Sequence, residues 1–252
     1  MESLHQDGLI EVVDLGRISY ADAYAIQRAA HERVVSARPA IGSAICADQP
    51  AGILYLLEHV PAVVTVSRRL DAKKNLLAST EALAALGVQC VETDRGGDVT
   101  WHGPGQIVVY LILDLNRLGL RVHGYLRLLE GAVIETLLHF GVVGVRDSTA
   151  TGVWVGGSAG TTRKICAMGV RLSRWVSMHG IALNVNPDLK QFGLIVPCGL
   201  VGRGVTSLAH ELGDRAPSLA AVKSVLALRL IEAVSRAAQE AVPAPRSATE
   251  TH

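Results

Sequence analysis

The sequence predicts an α/β domain of the α+β type, with mixed or antiparallel sheets packed by helices, and three observations predict it. Hydrophobic residues make up 49% and charged residues 19% of 252 residues, enough to bury a sizeable core. Segments with helical period and short strand-like runs are interspersed without the strict strand–helix–strand rhythm of a parallel sheet. One run, QIVVYLILDL at 106–115, is apolar on both faces and so belongs at the centre of a sheet covered on each side. Aromatics are only 4%, so the core is built from Leu, Val, Ile and Ala. Composition shows no break before residue 240. A single domain is expected over 1–240, with 241–252 (AVPAPRSATETH) as a disordered tail.

The elements follow in order. ISYADAYAIQRAAHERVVS reads as a helix, with Ala23, Ile26, Ala30 and Val34 at helical spacing and Ser19 as N-cap. GILYLLEHV and AVVTVSR are strands separated at Pro61, which cannot donate to a ladder. STEALAALG is a short helix with Gly87 just past its end. VQCVETD is a strand that runs into the glycine-rich stretch RGGDVTWHGPGQ, and the central strand follows. GYLRLLEGAVIETLLHFG is a helix whose buried stripe is Leu126, Leu129, Val133, Leu137 and Phe140, closed by Gly141. VGVRDS, GVWVGG, KICAMGVRLS, IALNV and LIVPC are short strands. A helix over 218–238 ends the domain, with Leu219, Val222, Leu226, Leu230 and Val234 inward.

Several function classes are excluded. A net charge of +1 offers no broad basic surface to displace the counterions of nucleic acid. The N-terminus lacks a basic region followed by an apolar one, and it is too acidic for a transit peptide. The apolar runs are too short to cross a bilayer. Four cysteines without CxxC spacing are no disulfide framework and fit a reducing cytoplasm. Nine histidines without HExxH or a close His/Cys pair predict no metal site.

Three stretches carry chemistry-bearing residues. RGGDVTWHGPGQ is neither a phosphate loop nor a dinucleotide fingerprint, and a strand follows it, so no helix N-terminus is offered to a phosphate. Its glycines bring bare backbone close to a neighbour, either in a twisted turn or at a ligand. In FGLIVPCGL, Pro197 stops the ladder and Gly199 frees the backbone, so Cys198 is presented at a strand-to-loop turn. It is either a buried small hydrophobe, as Cys46, Cys90 and Cys166 read, or a nucleophile. A nucleophilic thiol needs a nearby cation or histidine, and His102, His179 and the basic residues of RKICAMGVRLSR are the candidates. Strand parity puts Lys164 with Cys166, Met168, Val170 and Leu172, opposite Arg163, Ile165, Ala167, Gly169 and Arg171. Lys164 either snorkels from the strand end or is a desolvated ammonium held beside a thiolate.

Together, RGGDVTWHGPGQIVVYLILDL, GVWVGG…KICAMGVRLSRWVSMHGIALNV and IVPCGLVGRGVTSL resemble the lipoyl(octanoyl) transferases, in order, from about Leu54 to Leu212. The resemblance implies the biotin/lipoate ligase-like fold and a catalytic acyltransferase domain that uses no metal, nucleotide or other cofactor. By that likeness Cys198 forms an acyl-thioester and Lys164 lowers its pKa. The octanoyl group is held by Arg95, Gly96, Gly97, Asp98, Val99, Thr100, Trp101 and His102, by Ala167, Met168 and Gly169, and by Gly180, Ile181 and Ala182. Two positions depart from the family pattern. Cys166 stands where small residues such as Ala are usual, and EHVPAVVTVSRR lacks a glycine often seen after its strand.

The implied partners are octanoyl-acyl carrier protein as donor, and as acceptors the lipoyl domains of 2-oxoacid dehydrogenase E2 subunits and glycine cleavage H protein. Arg163, Arg171, Arg174 and Arg203 are candidates for docking the acidic carrier. Nucleic acid and membrane are not expected partners. A monomer is expected, because both partners are large proteins that must reach one site in turn. The competing readings are an ATP-dependent lipoate–protein ligase, a cysteine thioesterase with His102 or His179 as base, and a non-catalytic binding module. Arg95 and His102 either contact the substrate or brace their loop.

Overall fold

The computed structural model describes residues 2–6, 8–38, 50–156, 162–196 and 203–241, with side chains from residue 8 onward. Eleven strands and five α-helices are described. They are β1 (Glu2–Gln6), β2 (Ile10–Ile18), α1 (Tyr20–Ser36), β3 (Gly52–His59), β4 (Val63–Ser67), α2 (Thr80–Ala85), β5 (Gln89–Thr93) and β6 (Val99–His102), followed by β7 (Gln106–Leu113), α3 (Val122–His139), β8 (Gly144–Arg146), β9 (Val153–Val155), β10 (Arg163–Ser173), β11 (Val176–Asn184), α4 (Leu208–Leu212) and α5 (Leu219–Ala241).

The strands form two mixed sheets. The larger has the order β1-β2-β3-β7-β11-β10-β9-β8, with β2 and β3 parallel and the other pairings antiparallel. The smaller has the order β5-β4-β6, with β4 parallel to β5 and antiparallel to β6. Every residue of β7 is buried, as its two-sided apolar pattern requires, and β7 lies between β3 and β11.

Layering follows from which residues share a face. On one face of the large sheet Leu54, Leu56, Ile107, Val109 and Leu111 pack with Leu129 and Val133 of α3 and Leu226 and Leu230 of α5. On the other face Ile53, Tyr55, Val108, Tyr110 and Ala182 pack with Ala23 and Ala30 of α1. The small sheet has its own core of Val64, Val66, Val99 and Trp101 with Leu83 of α2 and Phe192. Ser19 caps α1 by accepting from the Asp22 amide at 3.1 Å.

The chain differs from the sequence-based expectation in five places. β1 and β2 precede α1, where no strand is expected. Their residues lack a clean alternation because β2 lies inside the sheet, paired on both edges. GILYLLEHV and AVVTVSR are both strands, but Pro61 separates two sheets. The glycine-rich stretch holds a four-residue strand, β6, paired to β4. β11 begins at Val176, five residues before IALNV. The LIVPC stretch forms no described strand: Leu194 ends a 3-10 helix over Leu189–Leu194 and Ile195 makes one bridge, to Leu76. The tail beyond Ala241 lies outside the described residues.

Candidate functional site

A narrow cleft of about 480 Å³ opens between the α1 face of the large sheet and the small sheet. The small sheet's side supplies Arg95, Gly97, Asp98, Thr100 and His102; the large sheet supplies Val108 and Tyr110, Ala167 to Gly169 and His179 to Ala182; α1 supplies Tyr20. Of the residues expected to hold the acyl group, Arg95, Gly97, Asp98, Thr100, His102, Ala167, Met168, Gly169, Gly180, Ile181 and Ala182 line it. Gly96, Val99 and Trp101 do not. Val99 and Trp101 point by strand alternation into the small sheet's core, where the Trp101 indole donates to Gln191 at 3.0 Å.

The glycines explain how the two sheets approach. The Gly96 amide donates to the Val170 carbonyl at 3.0 Å, and a Cβ on Gly96 would sit 2.8 Å from that oxygen. A Cβ on Gly169 would sit 2.7 Å from the Gly96 carbonyl oxygen. Bare backbone on both sides lets the loop lie flat against β10. Arg95 is braced: its guanidinium donates to the Thr65 carbonyl at 2.8 Å, to the Thr65 hydroxyl at 2.9 Å and to the Gly96 carbonyl at 3.0 Å. Asp98 accepts from Asn75 at 2.9 Å through one oxygen.

Three histidines gather around the cleft. Gln106 donates through Nε2 to Asn184 at 2.9 Å, so its Oε1 accepts from His102 Nδ1–H at 2.7 Å. The His102 ring lies 5.7 Å from that of His59. His59 accepts from the Tyr110 hydroxyl at 2.6 Å. His179, held at φ 59°, donates to Asp94 at 2.9 Å, while its own amide donates to Gln27 at 2.8 Å. That bond, the Tyr24 hydroxyl and Arg171 hold the Asp94 carboxyl far below the usual carboxylate range. Burial keeps His179 below its ordinary value against the pull of Asp94.

Burial also brings His59 down to about 4 and His102 down to about 3. Both rings are neutral in the folded chain near neutral pH. In the unfolded chain each titrates near the ordinary value of about 6.5. Below that value the unfolded state binds protons that the folded state does not. Stability is therefore complete above about pH 6.5 and falls as pH drops toward about 4, by on the order of 1.4 kcal/mol per pH unit for each ring. Thermal unfolding followed between about pH 7 and about pH 4 checks this. The expected result is a Tm that declines with acidity, less steeply in His59→Gln; equal slopes would contradict the neutral-ring assignment.

Lys164 is buried on β10. The ladder with β9 shifts register between Lys164 and Cys166, and as a result Ile165 and Cys166, adjacent in sequence, both enter the main core. The shift uncouples Lys164 from the Cys166 face, which corrects the parity expected from simple alternation. Lys164 pairs instead with Trp154 across the ladder, its Nζ 4.7 Å from the indole centroid. Its amide donates to the Gly204 carbonyl and its carbonyl accepts from the Thr206 amide, each at 2.9 Å. The chain that leaves the Cys198 stretch is thus fixed to Lys164. The chain that enters the stretch is fixed on the other side, where the Val196 amide donates to the Asn75 carbonyl at 2.7 Å, and Asn75 in turn holds Asp98.

Cys198 itself lies outside the described residues, as does Cys46. Cys166 is fully buried and burial pushes its thiol up to about 12, in keeping with an inert core cysteine. Cys90 is exposed on the edge strand β5, not buried as expected. Three of the four candidate docking arginines are paired with carboxylates, Arg171 with Asp94. Arg163 pairs with Glu211 at 2.9 Å, and Arg203 pairs with Asp147 while stacking 3.8 Å from the Trp154 centroid.

Sequence reasoning missed Tyr20, His59, Asp94, Val108 and Tyr110. Tyr110 and Val108 read only as central-strand core. His59 and Asp94 are single polar residues at strand ends whose partners are distant in sequence. Among the described residues no cluster of three His, Cys, Asp or Glu side chains could hold a metal ion, and no helix is long and apolar enough to cross a membrane.

The fold is that of the lipoate protein ligases. A bipartite lipoate protein ligase from Thermoplasma acidophilum superposes with a TM-score of 0.63 at 15% identity, covering 94% of this chain and 92% of the other. A lipoate-protein ligase A bound with ATP superposes at 0.61 and 13% identity, covering 93% and 94%. Residues 19–231 match the model of the lipoyl protein ligase A/B catalytic domain. The octanoyltransferase of Flavobacterium psychrophilum is 45% identical over 204 residues, 81% of this chain and 87% of the relative. That of Chloroflexus aurantiacus is 48% identical over 221 residues, 86% and 91% of the two chains. The chain belongs to the lipoyl protein ligase A/B catalytic domain family, within its octanoyltransferases.

Proposed function

We propose that this chain transfers an octanoyl group from octanoyl-acyl carrier protein to the lysine of lipoyl domains, through an acyl-thioester on Cys198. The observation that carries the reading is the meeting of the motifs. One cleft is walled by the Arg95–His102, Ala167–Gly169 and Gly180–Ala182 stretches. The chain on either side of the Cys198 stretch is hydrogen-bonded to Lys164 and to the Asn75–Asp98 wall. E2 lipoyl domains and glycine cleavage H protein are the proposed acceptors, a reducing cytoplasm the proposed setting and a monomer the proposed state.

The reaction has two transfers. The Cys198 thiolate attacks the donor thioester, the carrier's thiol leaves and an octanoyl-thioester forms on the enzyme. The exchange is between two thioesters and needs no nucleotide. The acceptor lysine amine then attacks that thioester, an amide forms and the Cys198 thiolate leaves. Lys164, as an ammonium, stabilises the thiolate and gives its proton to the departing carrier sulfur in the first step; its neutral amine then takes the proton of the attacking amine in the second. Arg95 and His102 act by bracing, since Thr65 and Gly96 hold the guanidinium and Gln106 orients the ring. Burial disfavours charge on His102 and His179, and the Arg95 guanidinium that also lines the cleft is turned to Thr65 and Gly96.

Ala167, Gly169 and Ala182 leave the slot for the acyl chain. Burying it is worth about 0.8 kcal/mol per methylene, roughly a fourfold preference each. Ala167→Leu is expected to lower kcat/KM for octanoyl donors more than for shorter ones, which a chain-length series measures; a uniform loss would remove Ala167 from the slot.

Octanoyl transfer from carrier to a lipoyl domain without ATP tests the reading. The expected product is the octanoyl-lysine amide. Transfer only with ATP, or release of free octanoate, would overturn it.

A further inference from the structure

Two grooves flank the acyl cleft, the first sharing two wall residues with it. Arg95 and Gly97 line both the cleft and a groove of about 650 Å³ that adds Ser67, Arg68, Arg69, Asp94 and Arg171. Arg68, Asp94 and Arg171 also line a second groove of about 700 Å³ that adds Arg28, Glu32 and Arg174. The grooves collect six arginines against two carboxylates, on a chain whose net charge is only +1.

Those arginines come from separate elements. Arg28 is on α1, Arg68 and Arg69 follow β4, and Arg174 sits in the two-residue turn between β10 and β11. Arg28, Arg68, Arg69 and Arg174 are exposed, and their guanidinium groups make no ion pair or hydrogen bond among the described residues. A lone exposed arginine is ordinary surface. Four on the walls of depressions that flank an acyl cleft are a concentration of positive charge. The groove beside Trp101 and Pro104 is the opposite in kind: it carries Glu58 and Asp188, has no basic residue and shares no lining residue with the cleft.

We infer that the arginine grooves dock the acyl donor, an acidic carrier protein, and that the phosphodiester of its thiol-bearing arm lies against Arg68, Arg69 and Arg171. The inference rests on the proposed octanoyl-carrier reaction. When the thioester is in the cleft, the arm must leave through the cleft's mouth, and its phosphate is the first fixed negative charge outside. Arginine forks match phosphate oxygens in pairs of hydrogen bonds. The exposed outer arginines, Arg28 and Arg174, meet the acidic face of the carrier and raise the encounter rate.

Steady-state transfer to a lipoyl domain by the full chain tests this, with octanoyl carrier protein, octanoyl-phosphopantetheine and octanoyl-pantetheine as donors. The double variant Arg28→Glu/Arg174→Glu is expected to lower kcat/KM for the carrier, relative to octanoyl-phosphopantetheine, by on the order of tenfold, with a shallower salt dependence. Arg68→Glu is expected to lower kcat/KM for octanoyl-phosphopantetheine relative to octanoyl-pantetheine. Arg215→Glu, exposed and outside the lining of the cleft and of both grooves, controls for net charge and is expected to leave every ratio unchanged. Unchanged ratios in the groove variants would overturn the inference, as would a rise confined to the KM of the lipoyl domain, which would assign the surface to the acceptor. Absence of transfer from every donor by the parent chain would instead overturn the proposed reaction, and the inference with it.

Discussion

Cys198→Ser is expected to lower octanoyl transfer by on the order of a thousandfold or more, because the first covalent step needs a thiolate. A serine hydroxyl is too weak an acid to replace it, and burial makes the described histidines of the cleft weak bases. His102 is held down at about 3 by burial and tied to Gln106, and His179 is committed to Asp94. The other described thiols cannot substitute. Cys166 is sealed in the main core with its thiol pushed up to about 12, and Cys90 sits exposed on β5, where partial desolvation of its sulfur and the nearby Glu92 raise it. Cys90→Ser and Cys166→Ser are expected to retain activity. Steady-state rates of the three variants check this, and a Cys198→Ser enzyme that keeps more than about a tenth of parent activity would contradict a covalent route through Cys198.

Lys164→Ala is expected to cost on the order of a hundredfold or more in rate and to move the pH–rate profile for adduct formation upward. Lys164 is buried on the bulged start of β10, its ammonium over the Trp154 ring and its backbone fixed to the chain that leaves the Cys198 stretch. On the proposed mechanism, removing that ammonium takes a positive charge from the thiolate's surroundings, so the thiol is expected to ionise at higher pH. In that mechanism it also removes the group that accepts the amine proton in the second step. Lys164→Arg keeps the charge but not the basicity, so it is expected to preserve adduct formation better than turnover. Single-turnover rates across pH separate the steps. A Lys164→Ala profile displaced in neither rate nor pH, in a variant whose melting curve is intact, would remove Lys164 from the chemistry.

Much of this arrangement is legible from residues alone, for identifiable reasons. α1, α3 and α5 carry apolar stripes at helical spacing, and β7 is apolar on both faces, so each is visible locally. β6 is hidden because its four residues sit between glycines, and it exists through pairing with β4. The bulge at Lys164 is invisible to parity, since a register shift depends on β9 and not on β10 itself. The cleft residues of RGGDVTWH, KICAMG and HGIAL are recognisable as motif positions, whereas Tyr20, Asp94 and His59 enter through contacts 73, 85 and 51 residues away in sequence. The docking arginines follow the same rule: Arg171 and Arg174 stand in a basic run, but Arg28 and Arg68 join them only once α1 and β4 are folded together.

The central claim is a covalent octanoyl-enzyme on one cysteine. Intact-mass measurement after mixing the chain with octanoyl carrier protein, followed by peptide mapping, tests it most directly. The account predicts one octanoyl adduct on Cys198 that forms without ATP and disappears when a lipoyl domain is added. An unmodified enzyme that still turns over, or an adduct on Cys90 or Cys166, would contradict it.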